Sequence, residues 1–226
     1  MRYKSNVVPP RGGRQRNSHP TLENEEPLAK PQGVAASEVV PATGGPIITH
    51  AYKEVAIQKA IGWFSTYLST ERENYYPLGH ALRSEWRSLM DGYFEPALLD
   101  QVRVAELLDR RLQNPWFYPQ AKQQGIRHLP DMTHKAAVTF LDVIVFNGKI
   151  ESRDLFHGLV HVAQVNVMGV SEFTDLFVRG FLTARSYFLA PLKAHAFGLD
   201  GRFAANPGVR FSVENEVRDF WRRGKY

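Results

Sequence analysis

The chain has 226 residues, no cysteine and a formal net charge of +5, with 43% hydrophobic and 12% aromatic residues. That size and composition fit one globular domain with a tail. The missing cysteine excludes disulfides, thiolate nucleophiles and Cys-ligated zinc. Basic residues are scattered except for short clusters at the two ends, so no nucleic-acid partner is expected. No apolar run reaches the ~20 residues of a membrane span, and no apolar segment follows residues 1–6 as a secretory signal would require. The expectation is a cytoplasmic protein whose partner, a small molecule or another protein, the composition does not identify.

Residues 1–46 are punctuated by Pro9-Pro10, Gly12-Gly13 and Gly44-Gly45-Pro46. They carry too little apolar surface to offset the entropy of ordering and read as a disordered arm, with a single domain over 47–226. Val55, Ala56, Ile57, Ala60, Ile61, Phe64 and Leu68 make a helical stripe. A second helix is predicted from Pro77 to Met90, a helical turn over Glu95–Leu99, and a strand from Val102. Residues 136–140 and 143–146 are β-branched and aromatic, and Asn147-Gly148 closes them with a turn signal. A helix follows from Ser152 to Met168, stopped by Gly169. Ser171 opens another towards Leu189, Pro191 suits the first turn of a third, and Phe211 begins a last amphipathic segment. Strands followed by a run of helices make an α+β fold, a small sheet packed on one helix with further helices after it.

That helix carries His157 and His161 in the order His-Gly-Leu-Val-His. A spacing of four places both imidazoles on one face, where they can meet one ion. Two ligands do not close a zinc site; a third protein ligand from a later helix is required. His195 is the candidate, ahead of Glu172 and Asp175. A three-histidine set suits zinc first, with copper, iron or nickel also open. The alternative is a pair of core histidines hydrogen-bonded to their surroundings.

The segment Leu155-Phe156-His157-Gly158-Leu159-Val160-His161-Val162-Ala163-Gln164 is followed by Arg179-Gly180-Phe181-Leu182, Ser186-Tyr187 and Pro191-Leu192. Together they resemble bacterial zincin-like metallopeptidase domains of the H-E-x-x-H type, over about residues 75–217. The resemblance implies a zincin-like fold, with His157 and His161 as metal ligands. Two acidic positions depart from it. Gly158 stands where the family has its water-activating glutamate, and Lys193 stands where a P-L-E segment supplies the third ligand.

Glycine cannot take a proton from water, so the loss of a general base worth ~10²–10⁴ in rate argues against peptide hydrolysis. It also weakens a helix interior by ~1 kcal/mol relative to alanine, which points to relaxed constraint or to a need for room beside the metal. Lys193 would place positive charge beside a cation. His195 could restore a three-histidine site, although two positions along a helix lie about 200° apart, so His195 and Lys193 should not face the same way.

The leading expectation is therefore a degenerate metallopeptidase-like protein, a pseudoenzyme without ordinary peptidase activity, which binds a divalent metal through His157 and His161. The alternative is a metalloenzyme with non-proteolytic chemistry at His157, His161 and His195. Tyr187, as an oxyanion donor, and Glu172, as a substitute base, are the weaker catalytic candidates. Gln164 and Asp142 are candidates to orient the histidines.

Overall fold

The computed structural model describes residues 46–126, 129–184 and 186–224, with side chains from residue 53 onwards. The arm expected over residues 1–46 lies outside the described residues except at its last position. The α+β class is as expected: eight helices and a four-stranded mixed sheet among the described residues.

In chain order the elements are α1 (Pro46–Tyr75), β1 (His80–Ala81), α2 (Ser84–Met90), α3 (Pro96–Gln101), β2 (Arg103–Glu106) and α4 (Tyr118–Gln123). There follow β3 (Ala137–Phe140), β4 (Val143–Phe146), α5 (Ser152–Met168), α6 (Val170–Thr183), α7 (Pro191–Ala205) and α8 (Val213–Arg223). The sheet order is β1-β2-β4-β3, with β2 parallel to β4 and the outer pairs antiparallel. Residues 143–146 are fully buried, which is why β4 reads as an unbroken apolar run and not as an alternating one. Leu141 turns the chain between β3 and β4 with φ of 57°.

The centre of the molecule is α5, which packs against β3, β4, α6, α7 and α8. Eleven of its 17 residues are buried, as expected of a helix covered on nearly every side. Gly169, at φ 81°, ends α5 and lets α6 begin one residue later. Phe156 anchors the side of α5 facing α7, stacked on Phe203 at 4.4 Å with Tyr93 edge-on at 5.3 Å. On the far side, α1 lies along α6 and β3, where Tyr67 and Tyr75 pack on Phe140. β3 is an edge strand, and the space beside it, closed by α1, α5, α6 and α7, is a cavity of about 470 Å³. No described helix is long and apolar enough to cross a membrane.

Candidate functional site

His157 and His161 both line this cavity from successive turns of α5. Their tautomers follow from their neighbours. His157 Nδ1 lies 2.7 Å from Asp200 Oδ2, so it carries the proton and donates to the carboxylate. Gln164 donates Nε2–H to the Leu192 carbonyl at 3.1 Å, which turns its Oε1 towards His161 Nδ1 at 2.7 Å. His161 Nδ1 therefore also donates. Both Nε2 atoms are left as acceptors, 3.2 Å apart, and cannot satisfy each other.

Lys193 supplies the donor. Its Nζ lies 2.9 Å from His161 Nε2 and 3.4 Å from His157 Nε2. With the two Nε2 atoms 3.2 Å apart, the amine thus stands about where a third ligand beside the two imidazoles would stand, since tetrahedral ligands at ~2.0–2.1 Å from zinc are about 3.3–3.4 Å apart. No carboxylate pairs with the amine among the described residues. Its other close neighbour is the ring of Tyr187, with the ammonium 5.2 Å from the centroid; Lys135 approaches the same ring at 4.1 Å.

Burial sets the electrostatics. It pushes the Lys193 amine down to about 7, helped by the charge of Lys135 and opposed by Asp200. It holds His161 well below the usual imidazole range, with Lys193 and His157 adding to the effect. His157 is lowered by burial too, although the Asp200 hydrogen bond works against it. Burial alone would raise Asp200, but the hydrogen bonds from His157 and Arg153 outweigh it and leave that carboxyl below its ordinary value.

His195 is not brought to the pair. Its ring stacks on Phe220 at 4.4 Å, and its Nδ1 faces Gln164 Nε2 at 3.3 Å. The reason is the helical phase anticipated above: Lys193 takes the face of α7 that looks into the cavity, so His195 is turned from it. The three-histidine set is not assembled, and the described residues contain no group of three or more His, Asp or Glu able to hold a metal ion. The donor set found here, two imidazoles and an amine, lacks the third imidazole or carboxylate of the usual protein zinc sites.

The other candidates divide similarly. Tyr187 lines the cavity, and burial raises its hydroxyl pKa so that it stays protonated. Glu172 sits in the first turn of α6 and is not part of the cavity wall, and Asp175 is paired with Arg179. Gln164 does orient a histidine, whereas Asp142 is held by Arg72 at 2.8 Å and 2.9 Å. Gly158 does not open room beside an ion. A Cβ there would meet Ile144 Cγ2 at 2.9 Å and Cδ1 at 3.0 Å, so the glycine allows α5 to lie close on β4.

Asp200 is the residue the sequence reading missed. It is 2% exposed, takes His157 on one oxygen and Arg153 on the other, and belongs to α7. Lys193, Phe197 and Asp200 fall at i, i+4 and i+7, and that spacing was the available signal. The rest of the wall is mostly apolar, including Trp63, Phe64, Phe117, Val138, Phe177 and Phe197. Comparison with family models, curated proteins and solved structures finds no match.

Proposed function

We propose that this chain is a metallopeptidase-like protein without peptidase activity, in which the amine of Lys193 stands in the place of the third metal ligand and holds the two histidines by hydrogen bonds. Its cavity receives a small apolar molecule whose polar end meets the Lys193–His157–His161 cluster. The observation that carries this reading is the contact of one amine with the Nε2 atoms of both histidines. Both imidazoles are locked from behind, so each Nε2 lone pair is committed to whatever lies between them. An amine there, with at least two N–H donors, can satisfy both without an added ion. Gly158 is consistent with the same reading, since hydrolysis would need a base that this position lacks. A cavity of about 470 Å³ with a mostly apolar wall and a few convergent polar groups has the form of a small-molecule site. A cytoplasmic location belongs to the same proposal.

Calorimetric titration with zinc and with 1-octanol tests it. Wild-type protein should take up no stoichiometric zinc and should bind octanol at one saturable site. The variant Lys193→Ala, with its two Nε2 atoms released, should bind zinc more tightly than wild type. Stoichiometric zinc in the wild-type chain would overturn the reading in favour of a metal centre, and an absence of octanol binding would overturn the cavity assignment.

A further inference from the structure

We propose that Lys193 is an imine-forming amine and that the cavity takes an apolar aldehyde or ketone, which condenses with Nζ. This deepens the reading above and rests on the cavity being a small-molecule site.

Four features of the geometry converge on this chemistry. First, the amine forms part of the cavity wall, so a bound carbonyl carbon can reach it without unfolding α7. Second, no carboxylate neutralises it among the described residues; its polar contacts are two neutral imidazoles. A half-buried lysine without a carboxylate partner keeps its lone pair and its protons for other contacts. Third, Lys135 approaches the same Tyr187 ring, with its amine 4.1 Å from the centroid and that of Lys193 5.2 Å from it, so a second basic group lies close by. A neighbouring cation and an apolar pocket are the two means by which proteins keep a lysine unprotonated and nucleophilic. Fourth, proton acceptors and donors surround it: His161 Nε2 at 2.9 Å, His157 Nε2 at 3.4 Å and the protonated hydroxyl of Tyr187 on the same wall.

The step balances without a co-reactant. The Nζ lone pair attacks the carbonyl carbon, forming a C–N bond while the carbonyl π pair moves to oxygen. One proton passes from nitrogen through an imidazole Nε2 to that oxygen, giving the carbinolamine. The C–O bond then breaks, the second nitrogen proton follows by the same route, and water leaves as C=N forms. One amine and one carbonyl become one imine and one water, and nothing is oxidised or reduced. The apolar wall favours condensation by excluding the water that would reverse it.

The test is brief exposure of the full chain to octanal near pH 7 with cyanoborohydride, followed by peptide mapping by mass. The expected result is one octyl group on Lys193, added at least about tenfold faster than on exposed Lys53 or Lys59, because the apolar cavity holds the aldehyde beside its amine and the two imidazoles can take its protons. Labelling of Lys193 no faster than of those two would overturn the proposal, as would preferential labelling of Lys135. Lys193→Gln should abolish the fast adduct, and the wild-type map decides the matter even if that variant does not fold. Octanol separates the two readings. If octanol binds and Lys193 is not labelled, only the imine chemistry fails; if octanol does not bind, the small-molecule site itself fails.

Discussion

Asp200 accepts a hydrogen bond from Nδ1 of His157 at 2.7 Å while lying almost wholly out of solvent, on a helix 43 residues further along the chain. The contact fixes the imidazole as the Nδ1–H tautomer and thereby fixes the Nε2 lone pair that Lys193 uses. Arg153 supports the carboxylate from the more exposed side, donating Nε–H and Nη2–H to Oδ1 at 3.0 Å and 2.8 Å.

Removing this carboxylate should therefore act at a distance. In Asp200→Ala, the His157 Nδ1–H loses its partner, at a cost of about 1–3 kcal/mol for a buried donor left unsatisfied. Nitrogen NMR should show His157 as a mixture of tautomers in that variant and as a single Nδ1–H form in Asp200→Asn, whose side-chain oxygen can still accept. A single unchanged tautomer in Asp200→Ala would mean that the carboxylate does not orient the ring.

Gly158 offers a second test, because two opposing effects meet there. Alanine would strengthen the helix by ~1 kcal/mol, yet its Cβ would stand 2.9 Å and 3.0 Å from two Ile144 carbons. Overpacking of this kind typically costs about 1–3 kcal/mol, so Gly158→Ala should lower stability on balance. In Gly158→Ala with Ile144→Ala, the clash is gone, and urea unfolding should show a double-mutant coupling of at least ~0.5 kcal/mol in the favourable direction. Purely additive losses would show that the close approach is unimportant.

How far all this could be read beforehand depended on the range of the signal. The helix over Ser152–Met168 and the strands over 137–140 and 143–146 were legible because periodicity and turn residues are local. The histidine pair was legible for the same reason. Lys193 was visible only as an obstacle to a metal; that its amine would itself bond both histidines needed the distance between α5 and α7. Asp200 was missed because its partner lies on another helix, although its i+7 spacing from Lys193 placed both on one face. The wall contributed by α1 had no local mark at all, since Trp63 and Phe64 read equally well as ordinary core residues.

The aromatic cluster behind α5 separates stability from the site. Phe156 is fully buried against Phe203, Tyr93 and Phe94, so Phe156→Ala should cost ~3–5 kcal/mol. Tyr93 donates its hydroxyl to the Pro207 carbonyl at 2.7 Å, and Tyr93→Phe should cost only ~0.5–1.5 kcal/mol. Since neither Phe156 nor Tyr93 lines the cavity, octanol affinity measured well below the unfolding midpoint should be unchanged in Tyr93→Phe. A large loss of affinity there would tie the cluster to the site.

Stability should also depend on pH in a direction set by the buried bases. Lys193 falls from 10.5 to about 7 on folding, and His161 falls well below 6.5, in both cases first through burial. The folded state then binds fewer protons than the unfolded one, so stability rises with pH wherever those groups titrate. For the histidine, the contribution is complete above 6.5 and is lost as pH falls towards its folded value. For the lysine, it grows between about 7 and 10.5 and is absent below about 7. Tyr67, Tyr118 and Tyr187 act in the opposite sense, because burial raises them above 10.0 and their contribution is lost once the unfolded phenols ionise. The midpoint of thermal unfolding should therefore climb from pH 5 to about pH 9 and turn down above about 10. Each ~1 kcal/mol should appear as about 2–4 °C in a chain of this size. In Lys193→Met the climb above pH 7 should flatten while the part below 6.5 survives. An unchanged slope between pH 7 and 9 in that variant would show that the amine is not desolvated in the folded protein.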